Sequence, residues 1–365
     1  MRQFYLYRIG LLNYLLGCLV IPVLVSEGWS QDQIFIDPLY GTDKVVVNDI
    51  YRPGARRVGG TTVNLRYDLY RPATLSGGPI LPETLPGMVL VHGGGFVQGS
   101  KTNSGIVQMA EYFSQRGYVV ASINYRLINT GNPLLDPAVE AGPFPVFPPT
   151  DPNDYNNWAN NPFNYGARIA NGANAAHNDT SYFANQFFGD AIELGIDMDR
   201  VALAGSSAGA ITSLMAGYGD HANGPQNDFG TVISLAGALY GLEYLVDADD
   251  PALWFQHGTN DTTVPYSNAE RLLGRALDVG LTHTLHTHQS GHSIFEPFFN
   301  SRTDAGLTFA EDSTRFLYNQ MNLAELASVP EPSCVSVLGA LALPAFLLRR
   351  RRPLGRPRYQ TTGNS

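Results

Sequence analysis

Cysteine is almost missing from this chain of 365 residues: there are two, Cys18 and Cys334, and both lie in the terminal segments. The intervening body therefore has no thiol chemistry, no disulfide and no cysteine-based metal site. A basic surface is missing as well. Eight of the 23 Lys and Arg residues are Arg2, Arg8, Arg349 to Arg352, Arg356 and Arg358. With Glu27 and Glu331 set aside, residues 31–330 hold 15 basic against 30 acidic residues, a net charge of −15. A body that acidic repels polyanions, which argues against nucleic acid as a partner. Only 15% of the chain is charged and 44% is hydrophobic, enough to bury a substantial core in one large or two ordinary domains. There is no internal repeat.

Both ends read as processing signals. Arg2 and Arg8 precede an apolar run over 9–25, and Gly28-Trp29-Ser30 puts small residues where a signal peptidase reads, so residues 1–30 are expected to be a secretory signal cleaved near Gln31. Leu15-Leu16-Gly17-Cys18 resembles a lipoprotein box, but the run continues through Leu19 to Val25, where a lipidated protein turns polar. An uncleaved anchor is the other alternative; against it, the run is short for a span and contains Asn13 and Pro22. At the far end, Val329-Pro330-Glu331-Pro332-Ser333 is followed by an apolar run over 335–348 and then by Arg349-Arg350-Arg351-Arg352. That order of parts, over 329–352, resembles a PEP-CTERM sorting signal, the tail that exosortase-type enzymes process in bacteria that make extracellular polysaccharide. The resemblance implies transient membrane insertion with the arginines held inside, an exosortase-like processing partner, and a final place outside a Gram-negative-type bacterium or on its surface. A periplasmic, membrane-anchored protein is the alternative. Residues 353–365 add a basic and polar tail where such signals usually end sooner.

Between the ends, over 31–328, alternating and β-branched runs at 44–51, 61–70, 87–92, 118–125, 200–205, 231–235, 252–257 and 281–288 predict strands. Helical spacing appears at 105–115, 173–194, 208–218, 268–279 and 309–327. Strands alternating with helices predict an α/β fold, a mostly parallel central sheet of about eight strands covered on both faces, with the first two strands as an antiparallel edge because no helix separates them. One stretch breaks the alternation. Residues 128–169, after the fourth strand, are rich in Pro and Asn and carry Phe144, Phe147, Tyr155, Trp158, Phe163 and Tyr165. So long an irregular insertion reads either as a packed surface loop or as a cap over a substrate site.

The chemistry sits where strands end. Val201-Ala202-Leu203-Ala204-Gly205-Ser206-Ser207-Ala208-Gly209-Ala210 runs from a strand through Gly-x-Ser-x-Gly into a helix, which puts Ser207 at the apex of a sharp turn with a helix N-terminus behind it. Val89-Leu90-Val91-His92-Gly93-Gly94-Gly95-Phe96 ends another strand in three glycines, whose N–H groups can converge with that of Ala208 on one developing negative charge. The same glycines could cradle a phosphate, but no Gly-Lys-Ser/Thr is present and no helix follows directly. Asp261 lies just past the strand at 252–257, and His292 follows the strand at 281–288. In that order a serine, an acid and a histidine form a nucleophile, an orienting carboxylate and a general base. Asp247, Asp249 and Asp250 are rival acids, but they precede the strand. His283, His286 and His288 share one strand; a metal there would need a further ligand that nothing signals. His257, at the end of the preceding strand, reads as structural.

Taken together, His92-Gly93-Gly94-Gly95, Gly205-Ser206-Ser207-Ala208-Gly209, His257-Gly258-Thr259-Asn260-Asp261 and Gly291-His292 resemble the α/β-hydrolase superfamily, and most of all its carboxylesterases of the hormone-sensitive-lipase type. Tyr67-Asp68-Leu69-Tyr70-Arg71-Pro72 and Asn124-Tyr125-Arg126-Leu127 fit the same pattern. The resemblance implies oxyanion donors at Gly94, Gly95 and Ala208, a structural His92, no cofactor, and a small-molecule or polymer-borne ester as substrate. Two departures stand out: Ser206 replaces an Asp found in many members, and the insertion after Leu127 is unusually long. The expected function is an exported serine carboxylester hydrolase. Peptidase or polyester depolymerase chemistry on the same fold is the alternative, with a catalytically idle surface protein as the non-enzymatic one.

The two terminal signals make one joint expectation. Intact-mass measurement on protein from its native host should find a chain that starts near Gln31 and ends near Ser333. A species that keeps the arginine cluster and stays with the inner membrane would make the tail an anchor instead.

Overall fold

The computed structural model describes residues 33–56, 62–127, 167–219 and 229–327, all within one unit, Met1–Ser328. The expected signal over 1–30, residues 128–166 of the insertion, the sorting signal over 329–352 and the tail over 353–365 lie outside the described residues.

The strands are β1 (Gly41–Arg56), β2 (Thr62–Ala73), β3 (Leu85–Val91), β4 (Val119–Ile123), β5 (Ile196–Ser206), β6 (Thr231–Leu235), β7 (Ala252–Gly258) and β8 (His283–His288). They form one sheet in the order β1-β2-β4-β3-β5-β6-β7-β8. β2 runs antiparallel to both β1 and β4, and every other pairing is parallel. Composition explains the placement. β3, β4, β6 and β7 are buried along their whole lengths, as continuous apolar strands covered on both faces must be. The Thr-His alternation of β8 suits a half-covered edge. β1 occupies the other edge, with Val45 and Val47 exposed, Lys44 beside them and several register shifts that bend it.

The helices are α1 (Ser104–Ser114), α2 (Ala167–Gly189), α3 (Ala191–Leu194), α4 (Ala208–Tyr218), α5 (Ser267–Val279), α6 (Phe295–Asn300), α7 (Phe309–Gln320) and α8 (Leu323–Ala327). Among the described residues none is long and apolar enough to cross a membrane. Three of them correct the sequence reading. Residues 167–169 belong to α2 rather than to the irregular insertion: the helix expected from 173 already begins at Ala167. The expected helix over 309–327 is broken at Asn322, whose φ of +49° separates α7 from α8. α6 was not expected at all; its six residues are too few for a periodic signal.

A buried ion pair ties the segment after β4 to α2. Arg126, at its start, donates its backbone N–H (2.9 Å) and its Nε (2.9 Å) to Oδ2 of Asp179 on α2, and Arg52 of β1 pairs with the other oxygen. Burial pushes the Asp179 carboxyl up, and the two guanidinium groups recover only part of that.

α4 is buried at every position, and its small residues let it lie against the sheet. The closest approach is at Gly209, where an added Cβ would stand 2.1 Å from the Val91 carbonyl oxygen, in backbone that cannot step aside. Gly209→Ala should therefore destabilise the fold by about 3 kcal/mol or more, as forced overpacking does. Urea unfolding checks this; a loss under about 1 kcal/mol would mean that β3 and α4 are not so tightly apposed.

Candidate active site

Because β3, β5, β7 and β8 are parallel, the loops leaving them emerge on one edge of the sheet. The register holds those ends level: Val91 pairs with Gly205, Leu235 with Gln256, and Gly258 with His288. Each sequence-predicted site residue lies just beyond one of those ends.

Ser207 sits between β5 and α4 with φ +52° and ψ −119°, a left-handed conformation that a side chain rarely adopts. Its N–H donates to the Leu235 carbonyl (2.8 Å) and its carbonyl accepts from Ile211 (2.9 Å), so strand and helix grip the residue from both sides. The hydroxyl hydrogen-bonds to Nε2 of His292 at 2.8 Å. Nδ1 of that ring donates to Oδ2 of Asp261 at 2.6 Å. A carboxylate accepts only, so Nδ1 carries the proton and Nε2 is left as the acceptor for the serine hydroxyl.

The acid and the base are stitched to each other through backbone. Thr259 donates its N–H to the His288 carbonyl (2.8 Å), and the Asn260 side-chain amide donates to the Gln289 carbonyl (2.5 Å). Oδ1 of Asp261 accepts the N–H groups of Thr263 (2.8 Å) and Val264 (2.9 Å). Burial pushes the Asp261 carboxyl up, but the hydrogen bond and charge of His292 and the two backbone donors outweigh it and hold it below the usual carboxylate range. Two of the rival acids are engaged elsewhere: Asp247 pairs with Arg275 (2.9 Å) and donates its N–H to Asp250 (2.7 Å). His257 donates through Nε2 to the Val264 carbonyl (2.8 Å), bracing the turn that presents Asp261.

The glycine loop faces Ser207 from β3. Gly94, at φ +121°, and Gly95, at φ +60°, adopt conformations open to glycine, and a Cβ on Gly94 would lie 2.0 Å from the Gln98 carbonyl oxygen. Among the described residues nothing accepts from the N–H of Gly94 or of Gly95. Ala208 opens α4, where an N–H has no partner within the helix. His92 is buried beneath the loop, donating from Nδ1 to the Gly93 carbonyl (2.8 Å) and stacked on Tyr125 at 4.3 Å between ring centroids.

The three histidines of β8 turn to protein partners. His283 donates to the Leu281 carbonyl (2.8 Å), His286 bonds Asp312 (2.8 Å) while stacked on Phe309, and His288 bonds Ser290 (2.5 Å). Among the described residues no group of three or more His, Cys, Asp or Glu is arranged to hold a metal. Sequence reasoning missed Lys101 and the working of Asp68 and Asn124, which anchor the exit of the glycine loop. Asp68 and Asn124 stood in recognisable motifs, but no local pattern pointed to their common partner.

Solved structures share this architecture. The esterase 2 of the planctomycete Thermogutta terrifontis with propionate bound is 18% identical, with a TM-score of 0.51 over 78% of this chain and 96% of that one. The chain has the α/β-hydrolase fold. The same esterase phosphorylated by paraoxon matches at 18% identity and a TM-score of 0.51, over 80% of this chain and 97% of that one. The BD-FAE family model matches residues 68–133 of the chain, the part that holds the glycine loop but not Ser207, Asp261 or His292. No curated protein matches the chain.

His92 yields an acid-stability prediction. Burial lowers its pKa from 6.5 to about 4, against a smaller upward pull from its bond to Gly93. The unfolded chain therefore binds a proton that the folded chain refuses, and the associated stability is complete above about pH 6.5 and lost as pH falls towards 4. It amounts to about 3 kcal/mol. Urea unfolding at pH 7 and pH 4 should show a drop at least that large, and His92→Asn should shrink it; equal drops in both proteins would contradict the assignment.

Proposed function

We propose that this α/β-hydrolase is an exported serine carboxylic ester hydrolase. The observation that carries the reading is the hydrogen-bonded chain from Ser207 through His292 to Asp261, beside a glycine loop in which, among the described residues, nothing accepts from the N–H groups of Gly94 and Gly95. Support comes from the BD-FAE match and from likeness to two structures of one protein named as an esterase, recorded with propionate and phosphorylated by paraoxon.

In this reading Nε2 of His292 takes the Ser207 proton as Oγ attacks the ester carbonyl, and the carbonyl oxygen becomes an oxyanion held by the N–H groups of Gly94, Gly95 and Ala208. His292 then returns the proton to the leaving alcohol, and the acyl group stays on Ser207. Water enters next, loses a proton to the same nitrogen and releases the acid and the free serine. Asp261 stays ionised throughout, fixing the ring tautomer and stabilising the imidazolium. Its lowered pKa suits that role. The reading also takes residues 1–30 as the export signal and 329–352 as the sorting signal, with final residence outside the cell or on its surface.

Turnover of p-nitrophenyl acetate and butyrate tests the proposal. Ser207→Ala should abolish turnover while leaving the fold intact, Ser206→Ala should be far milder, and Asp261→Asn should cost about 10⁴ in kcat by presenting the wrong tautomer. A Ser206→Ala protein that is dead beside a working Ser207→Ala protein would shift the nucleophile by one residue. A loss below tenfold in Asp261→Asn would remove that carboxylate from its role.

A further inference from the structure

The glycine loop has to hold its N–H groups still without using them. Over residues 93–100 its internal bonds run from Val97 and Gln98 to the Gly94 carbonyl (3.1 Å each), and Gly94, Gly95, Phe96 and Gly99 all have positive φ. Such a segment is only as well placed as its two ends. The entry is fixed by β3 and by His92, whose carbonyl accepts the Tyr125 hydroxyl at 3.0 Å. The exit is Lys101.

Three directions are fixed at that one residue. The Lys101 N–H donates to Oδ1 of Asn124 (2.7 Å), its carbonyl accepts the Ser122 hydroxyl (2.9 Å), and its Nζ donates to Oδ1 of Asp68 (2.6 Å). The Lys101 side chain is 4% exposed and that of Asp68 0%. Asp68 lies on β2, and it also meets Lys44 of β1 at 2.6 Å and accepts the Asn48 N–H at 2.7 Å. Asn124 is held in turn, its N–H donating to the Arg66 carbonyl (2.9 Å) and its own carbonyl accepting the Tyr51 hydroxyl (2.5 Å). Burial raises the Asp68 carboxyl, and the bonds from Lys101 and Lys44 more than reverse this and hold it below the usual carboxylate range.

A buried ion pair is a poor source of net stability, since desolvation takes back most of its attraction and an apolar filler would serve the core as well. What it supplies here is direction. Resting on the ester hydrolase reading above, we propose that Lys101, held by Asp68 and Asn124, is a positioning residue that sets the N–H groups of Gly94 and Gly95 on the oxyanion formed at Ser207. It does not touch the substrate. Its effect belongs to the transition state, because the ground-state ester carbonyl carries little of the charge those donors meet.

The test uses the full chain with p-nitrophenyl butyrate as substrate and an alkyl trifluoromethyl ketone as inhibitor, whose adduct with Ser207 carries the oxyanion. Lys101→Met should lower kcat by about 10- to 100-fold, the cost of misplacing donors by a fraction of an ångström, with KM changed less than about twofold. Ki for the ketone should rise by the same factor. Asn124→Ala should show the same pattern more weakly, and Asn124→Asp, which keeps the acceptor oxygen, should restore it. A folded Lys101→Met protein with kcat within about twofold of wild type, or with a change in KM alone, would overturn the proposal. If circular dichroism shows that Lys101→Met does not fold, the Asn124 pair decides, and unchanged kcat in Asn124→Ala overturns it. A wild-type protein that turns over no ester would instead sink the hydrolase reading, and this one with it.

Discussion

A left-handed backbone at Ser207 is the constraint from which the rest of the site follows. Holding a non-glycine residue at φ +52° costs about 1–3 kcal/mol, and it persists only where the surroundings over-determine it. Here they do. The Ser207 N–H extends the β5–β6 ladder, its carbonyl opens the α4 hydrogen-bond series, and Gly205 and Gly209 leave no room for any other path: a Cβ on either would lie 2.2 Å or closer to a backbone oxygen. The strain aims the hydroxyl out of the sheet and brings Oγ within 2.8 Å of His292. Ser206, one residue earlier, ends the strand and is 2% exposed against 8% for Ser207.

Three buried carboxylates show how the fold spends charge, and each meets the cost of burial differently. Asp261 gathers His292 and two backbone donors, Asp68 gathers two lysines and one backbone donor, and both end with lowered pKa values. Asp179 gathers Arg126 and Arg52 and is still raised. The first stands in the hydrogen-bonded chain to Ser207, the second holds the exit of the glycine loop, and the third ties β1 and the segment after β4 to α2. In each case the side-chain partners come from elements far apart in the chain. None of these ion pairs can be read from spacing.

Legibility follows the range of the interaction. The strand at 231–235 and the helix at 208–218 coincide with β6 and α4, since an apolar run bounded by glycine and a small-residue run after an elbow are local signals. The break at Asn322 escaped notice because its residue type, with no glycine or proline beside it, carries no obligatory stop. The start of α2 escaped because Asn171 and Gly172 are weak helix formers just ahead of the expected start at 173. Lys101 escaped because a lone lysine after Gly-Ser reads as a solvated charge; only the folded chain brings Asp68 to it.

Local pattern was enough for the fold class, the antiparallel edge, the elbow at Ser207 and the choice of Asp261 and His292 as its partners, because turn chemistry and strand ends leave their marks within a few residues. Distance and direction were not available there. That Nδ1 of His292 faces Asp261 at 2.6 Å, that Asp247 and Asp250 are engaged with other partners, and that the exit of the glycine loop rests on a buried lysine all depend on parallel strands being brought into register across the sheet. Register is set by side chains packing between elements that lie tens of residues apart, and no window of sequence contains both sides of that contact.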